Sequence, residues 1–154
     1  MIETRLRDLG IELPEPARPA FNYVPVVIWG NTAQVSGQLP KVDGEVRITG
    51  RVGESVQVDE AREAARICVL QGLAVLKQEL GSLERISRII KVTGFVASAP
   101  HFFDQPKVLD AASDLLVEIF GDAGRHARSA IGVAALPRNS PVEIEFLVGL
   151  REEG

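Results

Sequence analysis

A single cysteine, Cys68, stands in 154 residues. That excludes an internal disulfide and any cysteine-based zinc cluster, and leaves a lone thiol. Cys68 lies on the apolar face of a helical segment with no histidine near it in sequence, the setting of a packed small hydrophobe and not of a nucleophile. Aromatic residues make up only 5% of the chain, runs of lysine or arginine are absent, and the formal charge is −4. The basic patch and interleaved stacking platform of a nucleic-acid surface are therefore missing. No apolar run is long enough to span a bilayer, and the start, Met1-Ile2-Glu3-Thr4-Arg5, lacks the charged-then-apolar layout of a signal peptide. The expectation is a cytoplasmic protein with neither membrane nor nucleic acid as partner.

What is present suits one domain with a real core: 45% of residues are hydrophobic and 25% charged. An N-terminal arm, residues 1–20, holds a possible short helix at 3–10 and a stiff run, Leu13-Pro14-Glu15-Pro16-Ala17-Arg18-Pro19, whose prolines block helix and sheet. The domain follows over residues 21–154. Val24 to Trp29 and Thr32 to Gln38 read as strands joined by Gly30-Asn31, a pair that tolerates the positive dihedrals of a tight hairpin, and Glu45 to Thr49 reads as a shorter third. A helix from an Asp59 N-cap to about Gly81 carries Ala61, Ala64, Ala65, Cys68, Gly72, Val75 and Leu76 as one small-residue face for close packing. A strand at Ile86 to Val96 follows. A second helix at Gln105 to Phe120 is entered through Asp104 and Pro106 and stopped by Gly121. Strands at Ser129 to Ala135 and Val142 to Leu150 complete the order. This predicts an α+β fold: a mixed sheet of about six strands with two helices on one face. Two helices cover only one face, so the other needs a different cover, and we expect oligomerisation.

The C-terminal stretch carries the chemistry. Arg128 stands at the start of one apolar strand and Glu143 at the start of the next, across the Pro137-Arg138-Asn139-Ser140-Pro141 loop. Arginine grips a carboxylate through two parallel charge-assisted hydrogen bonds, and a nearby glutamate can hold a water. Spacing alone favours the plainer reading, an ordinary strand-end charge and a solvated edge residue.

Two motifs carry a resemblance. Arg128-Ser-Ala-Ile-Gly-Val-Ala-Ala-Leu-Pro137 followed by Val142-Glu-Ile-Glu145, and far upstream Tyr23 with Ser36-Gly37-Gln38-Leu39-Pro40, resemble the two signature segments of the reactive intermediate deaminase superfamily. This is the RidA or YjgF family, also labelled endoribonuclease L-PSP, and the resemblance covers about residues 21–150. It implies a chorismate-mutase-like fold, a homotrimer with clefts between subunits, and hydrolysis of 2-imino acids to 2-keto acids and ammonia. By matched position it implies Arg128 as the carboxylate clamp, Glu143 as holder of the attacking water and Tyr23 as closure of the pocket. Ser36 and Gly37 would supply wall or backbone contacts. The implied ligand is a small 2-imino or 2-keto acid, with no metal or organic cofactor.

Two positions depart from the family pattern. Many members carry cysteine two residues after the arginine, where this chain has Ala130, and Asp110 falls about where asparagine is usual. A carboxylate beside the clamp could weaken binding of an anion. The alternatives are thus a non-catalytic homotrimer that binds a small carboxylate or a protein in the same cleft, and, third, the endoribonuclease or translation inhibitor of the family's labels. His126 and His101 are read first as structural, Trp29 as a packed or intersubunit aromatic, and Arg138 as a solvated charge.

Overall fold

A computed structural model describes residues 1–153, which leaves only Gly154 of the predicted domain outside it. Seven strands form: β1 Val26–Trp29, β2 Thr32–Gln38, β3 Lys41–Val42, β4 Glu45–Val46, β5 Ile86–Ala97, β6 Ala127–Val133 and β7 Val142–Leu150. Three helices accompany them: α1 Ile2–Asp8, α2 Val58–Leu80 and α3 Gln105–Phe120. The expected α+β class is what forms.

The main sheet has five strands in the order β1-β2-β7-β5-β6, one fewer than expected. Its pairs are antiparallel except β5 with β6, which run parallel on either side of the α3 crossover. The expected third strand at Glu45 to Thr49 does not join it. Asp43 and Gly44 both adopt positive φ, 53° and 80°. That turn folds β4 straight back on β3, as a separate two-stranded hairpin that never reaches the sheet edge.

Helix α2 starts with Gln57, not Asp59, as its N-cap, because Gln57 and Glu60 form a reciprocal capping box. Its small-residue face lies against the sheet. A Cβ on Gly72 would sit 2.8 Å from Cδ2 of Phe146 in β7, and one on Gly94 of β5 would sit 2.9 Å from Cδ2 of Leu109 in α3. Both helices therefore cover the same face, over the fully buried Val92, Val96, Ile144 and Val148. Helix α1 is tied to the body as well: Leu6 is buried, Arg5 Nε donates to Glu118 C=O at 2.8 Å, and Lys77 pairs with Glu3 at 2.9 Å.

The opposite face is bare. Val27 and Trp29 of β1 are 52% and 83% exposed, and Ile131 of β6 is 41% exposed. An apolar face of this kind marks an interaction surface more often than a solvated one. Among the described residues no helix is long and apolar enough to cross a membrane.

Candidate active site

Strand alternation decides where the two candidate charges go. Glu143 lies between Val142 and Ile144, both fully buried beneath the helices, and pairs with Phe95. Its side chain thus emerges on the bare face. Arg128 pairs in register with buried Val92, so its side chain rises on the helix face, where it meets α3. Within one chain the two therefore stand on opposite sides of the sheet.

The Glu143 half begins with a bulge. Val35 pairs with Phe146 but Gln38 with Ile144, so β2 holds one extra residue at Ser36-Gly37. Bulges re-aim side chains and open the backbone beside sites. Here the missing side chain of Gly37 makes room for the Glu143 carboxylate, since a Cβ would lie 2.9 Å from its Cδ. Ser36 donates its hydroxyl to Val24 C=O at 2.7 Å and its N–H to Pro25 C=O at 2.9 Å, which fixes the segment that precedes β1. Tyr23 sits in that segment, half-exposed. Tyr23, Ser36, Gly37 and Glu143 together line a cavity of about 670 Å³, within the range of small-molecule sites. Burial pushes the Glu143 carboxyl above its ordinary pKa, and the neighbouring Glu145 charge adds to that. Glu143 is half-buried on a central strand, so the reading of a solvated edge residue fails.

The Arg128 half is a hydrogen-bond chain. Arg128 Nη1 donates to Asp110 Oδ1 at 2.8 Å and to Ser113 Oγ at 3.1 Å, both on α3. Ser113 Oγ lies 2.9 Å from His126 Nε2, and His126 Nδ1 lies 2.6 Å from Gly124 C=O. A carbonyl can only accept, so Nδ1 carries the proton and Nε2 of the neutral ring accepts from the Ser113 hydroxyl. Burial lowers the His126 pKa and the Arg128 charge lowers it further, against the raising effect of the Gly124 carbonyl. Both contacts use Nη1, and among the described residues Nε and Nη2 of Arg128 have no partner. The outer edge of the guanidinium fork is thus unengaged. Ala130, on the same face of β6, offers only a methyl group, and Gly94 opposite it in β5 offers none.

Reading the sequence missed Ser113 as the partner of His126. Its signal was the three-residue spacing from Asp110, which puts both on one side of α3. It also missed Arg18, Lys41 and Arg138, which line the cavity with Glu143. Among the described residues no group of three or more His, Cys, Asp or Glu side chains could hold a metal ion.

Comparison with known proteins gives a consistent picture. A family model described as "YjgF/chorismate mutase-like, putative endoribonuclease" matches residues 3–150. Protein TCP17 of Trypanosoma cruzi is 46% identical over 150 residues, 97% of this chain and 94% of that one. A 2-iminobutanoate/2-iminopropanoate deaminase of Dermatophagoides farinae is 30% identical over 139 residues, 90% of this chain and 93% of that one. The crystal structure of an Agrobacterium tumefaciens protein of unknown function superimposes with a TM-score of 0.90 at 47% identity, over 97% of this chain and 92% of that one.

Proposed function

Because the chain belongs to the YjgF/chorismate-mutase-like family, we propose that it hydrolyses reactive 2-imino acids to 2-keto acids and ammonia, in clefts between the subunits of a homotrimer. The observation that carries this reading is Glu143, a half-buried carboxylate of raised pKa at the wall of an open cavity, beside a glycine that leaves it room. Such a group can take a proton from water at near-neutral pH, a contribution of roughly 10²–10⁴ in rate.

The remaining need is a clamp for the substrate carboxylate. Arg128 lies across the sheet from Glu143 in the same chain, so in this reading the Arg128 clamp is supplied by a second copy docked on the bare face. The exposed Val27, Trp29 and Ile131 supply the apolar area for such docking. Asp110 and Ser113 then act as orienting groups: they hold Nη1 and turn Nε and Nη2 outward as a two-pronged donor for a carboxylate.

With the substrate so held, the water oxygen adds to the imine carbon while Glu143 takes its proton. The C=N π pair moves to nitrogen, which is protonated, and a carbinolamine forms. Glu143 has by then given that first proton to the nitrogen; it next takes the hydroxyl proton as the C–O bond becomes C=O and the C–N bond breaks, and hands it to the leaving nitrogen, which departs as ammonia. Imine and water give keto acid and ammonia, with no cofactor. The deaminase among the relatives supports this reaction class.

A non-catalytic carboxylate-binding trimer is the second reading, favoured by the Asp110 carboxylate on the clamp and by Ala130 at a position where a thiol is common. The endoribonuclease label has less support, since the chain carries a formal charge of −4 and no run of lysine or arginine to neutralise a phosphodiester backbone. The deciding experiment follows 2-keto acid release from imino acids generated in situ by a threonine or serine dehydratase. Acceleration over spontaneous hydrolysis that disappears in Arg128→Ala supports the deaminase. No acceleration with small, branched and aromatic imino acids leaves the binding trimer.

A further inference from the structure

The cavity beside Glu143 is lined by charges of both signs. Its lining includes the carboxylates Glu143 and Glu145, neighbours on one face of β7, and the cations Lys41, Arg138 and, from the N-terminal arm, Arg18. The chain as a whole has a net charge of −4, yet these three cations share one cavity. Among the described residues none of the three forms an ion pair. Cations gathered at a cleft without direct ion-pair partners raise the local concentration of anions there.

The backbone holds these cations where they are. Arg138 and Asn139 are consecutive non-glycine residues in the left-handed region, at φ 57° and 56°. Such strain persists only where surroundings over-determine it. The anchors are visible: Gly50 N–H donates to Asn139 C=O at 2.9 Å, and Ser140, fully buried, donates its hydroxyl to Val142 C=O at 2.8 Å. Lys41 is fixed from beneath by Gln71 of α2, itself buried, whose Nε2 donates to Lys41 C=O at 2.9 Å. Partial burial lowers the Lys41 ammonium pKa, and the Arg138 charge lowers it further, so the two cations feel one another.

We infer that Lys41 and Arg138, with Arg18 at the rim, form a second anion-binding subsite next to Glu143, and that the substrates are 2-imino acids with an anionic side chain, the 2-imino dicarboxylates. This rests on the proposed imine hydrolysis. Glu143 and Glu145 repel an anion and the cations attract it, so the side-chain carboxylate goes to the cations. Its side-chain carboxylate lies against Lys41 and Arg138, its C=N carbon faces Glu143, and its α-carboxylate meets Arg128 from the neighbouring copy. The cavity of about 670 Å³ has room for the longer side chain.

The test titrates two stable keto-acid products, 2-oxoglutarate and 2-oxobutanoate, into the native protein, Lys41→Met and Arg138→Met by calorimetry, and measures imine hydrolysis with imines generated from glutamate and from a neutral amino acid. The expected result is a preference for 2-oxoglutarate of about tenfold or more, the worth of one charge-assisted contact, and collapse of that ratio toward one in each variant. Neither Lys41 nor Arg138 belongs to the buried core, and thermal melting checks the fold. Equal affinity of the native protein for both acids overturns the subsite. Equal weakening of both acids in the variants also overturns it, since the cations would then bind the carboxylate common to both. A dicarboxylate preference without acceleration of any imine sinks the hydrolysis reading and leaves the subsite standing.

Discussion

The two halves of the site are built on opposite principles. Around Arg128 one edge of the guanidinium is held: Asp110, Ser113, His126 and the Gly124 carbonyl form one chain of hydrogen bonds on the helix-covered face. Around Glu143 the structure instead withholds matter, with a bulge, a glycine and a cavity on the bare face. The first half orients a charge and the second leaves space for a substrate and a water. Neither completes a reaction centre by itself, and the sheet between them keeps them apart within one chain. Under the proposed function the bare apolar face is where a second copy docks, so that an orienting half meets an open half.

The most severe way to break the contrast is to stop the halves from meeting. Val27→Glu combined with Trp29→Glu puts charge on the bare face without touching the core. We expect a folded monomer by size-exclusion chromatography with far-UV dichroism unchanged, and loss of essentially all imine hydrolysis. Persistence of full activity in such a monomer would remove the need for assembly.

Filling the open half is the next largest perturbation. Gly37→Ala drives a methyl group into the Glu143 carboxylate, whose flexible end can swing away at little cost to the fold. The expected outcome is a drop in kcat of about tenfold to a hundredfold, within the range of a misplaced general base, with the melting temperature nearly unchanged. A comparable fall in melting temperature would mean that Gly37 serves packing.

The pH dependence sharpens the assignment of roles. Glu143 must be ionised to accept a proton, so kcat/KM should rise with pH through a value above the ordinary carboxylate range, and Glu143→Gln should abolish that limb. Stability runs the other way. A carboxylate whose folded pKa is raised binds its proton more tightly when folded, so the stability it contributes is full below the unfolded pKa and falls as pH rises through the folded one. Glu143→Gln should therefore leave the melting temperature at neutral pH equal or slightly higher.

The smallest effect is expected at the orienting half. Asp110→Asn keeps a hydrogen-bond acceptor for Arg128 Nη1 but removes a negative charge, so KM for an anionic substrate should fall a few-fold, the scale of a partly exposed ion pair, with little change in kcat. Asp110→Leu removes the acceptor and should raise KM instead. If both variants bind alike, Asp110 does not position the arginine.

Much of this was legible in the chain, and the reasons differ by element. Helix α3 and strand β7 could be read to the residue, because Pro106 and Gly121 bracket one and the Pro-Arg-Asn-Ser-Pro loop precedes the other. Arg128 and Glu143 were legible as residue types in a pattern. Their opposition across the sheet was not, because alternation fixes a side only relative to a register, and an edge strand such as β6 is too exposed for burial to mark its inner face. The segment Glu45 to Thr49 was misread as a sheet strand, since its pairing with Lys41–Val42 depended on two positive dihedrals at Asp43 and Gly44. Ser113, Lys41 and Arg138 acquire meaning only from tertiary neighbours, and nothing in their local sequence sets them apart from solvated residues.

The most direct test of the central claim, that a working site takes Arg128 from one copy and Glu143 from another, is complementation. Arg128→Ala and Glu143→Gln, each inactive alone, are co-expressed and the imine hydrolysis of the mixed assemblies is measured. Random mixing in a cyclic trimer leaves about one site in four with both side chains intact, so about a quarter of native activity should return. Activity no higher than that of either parent would contradict the account, and place both side chains' work within one chain.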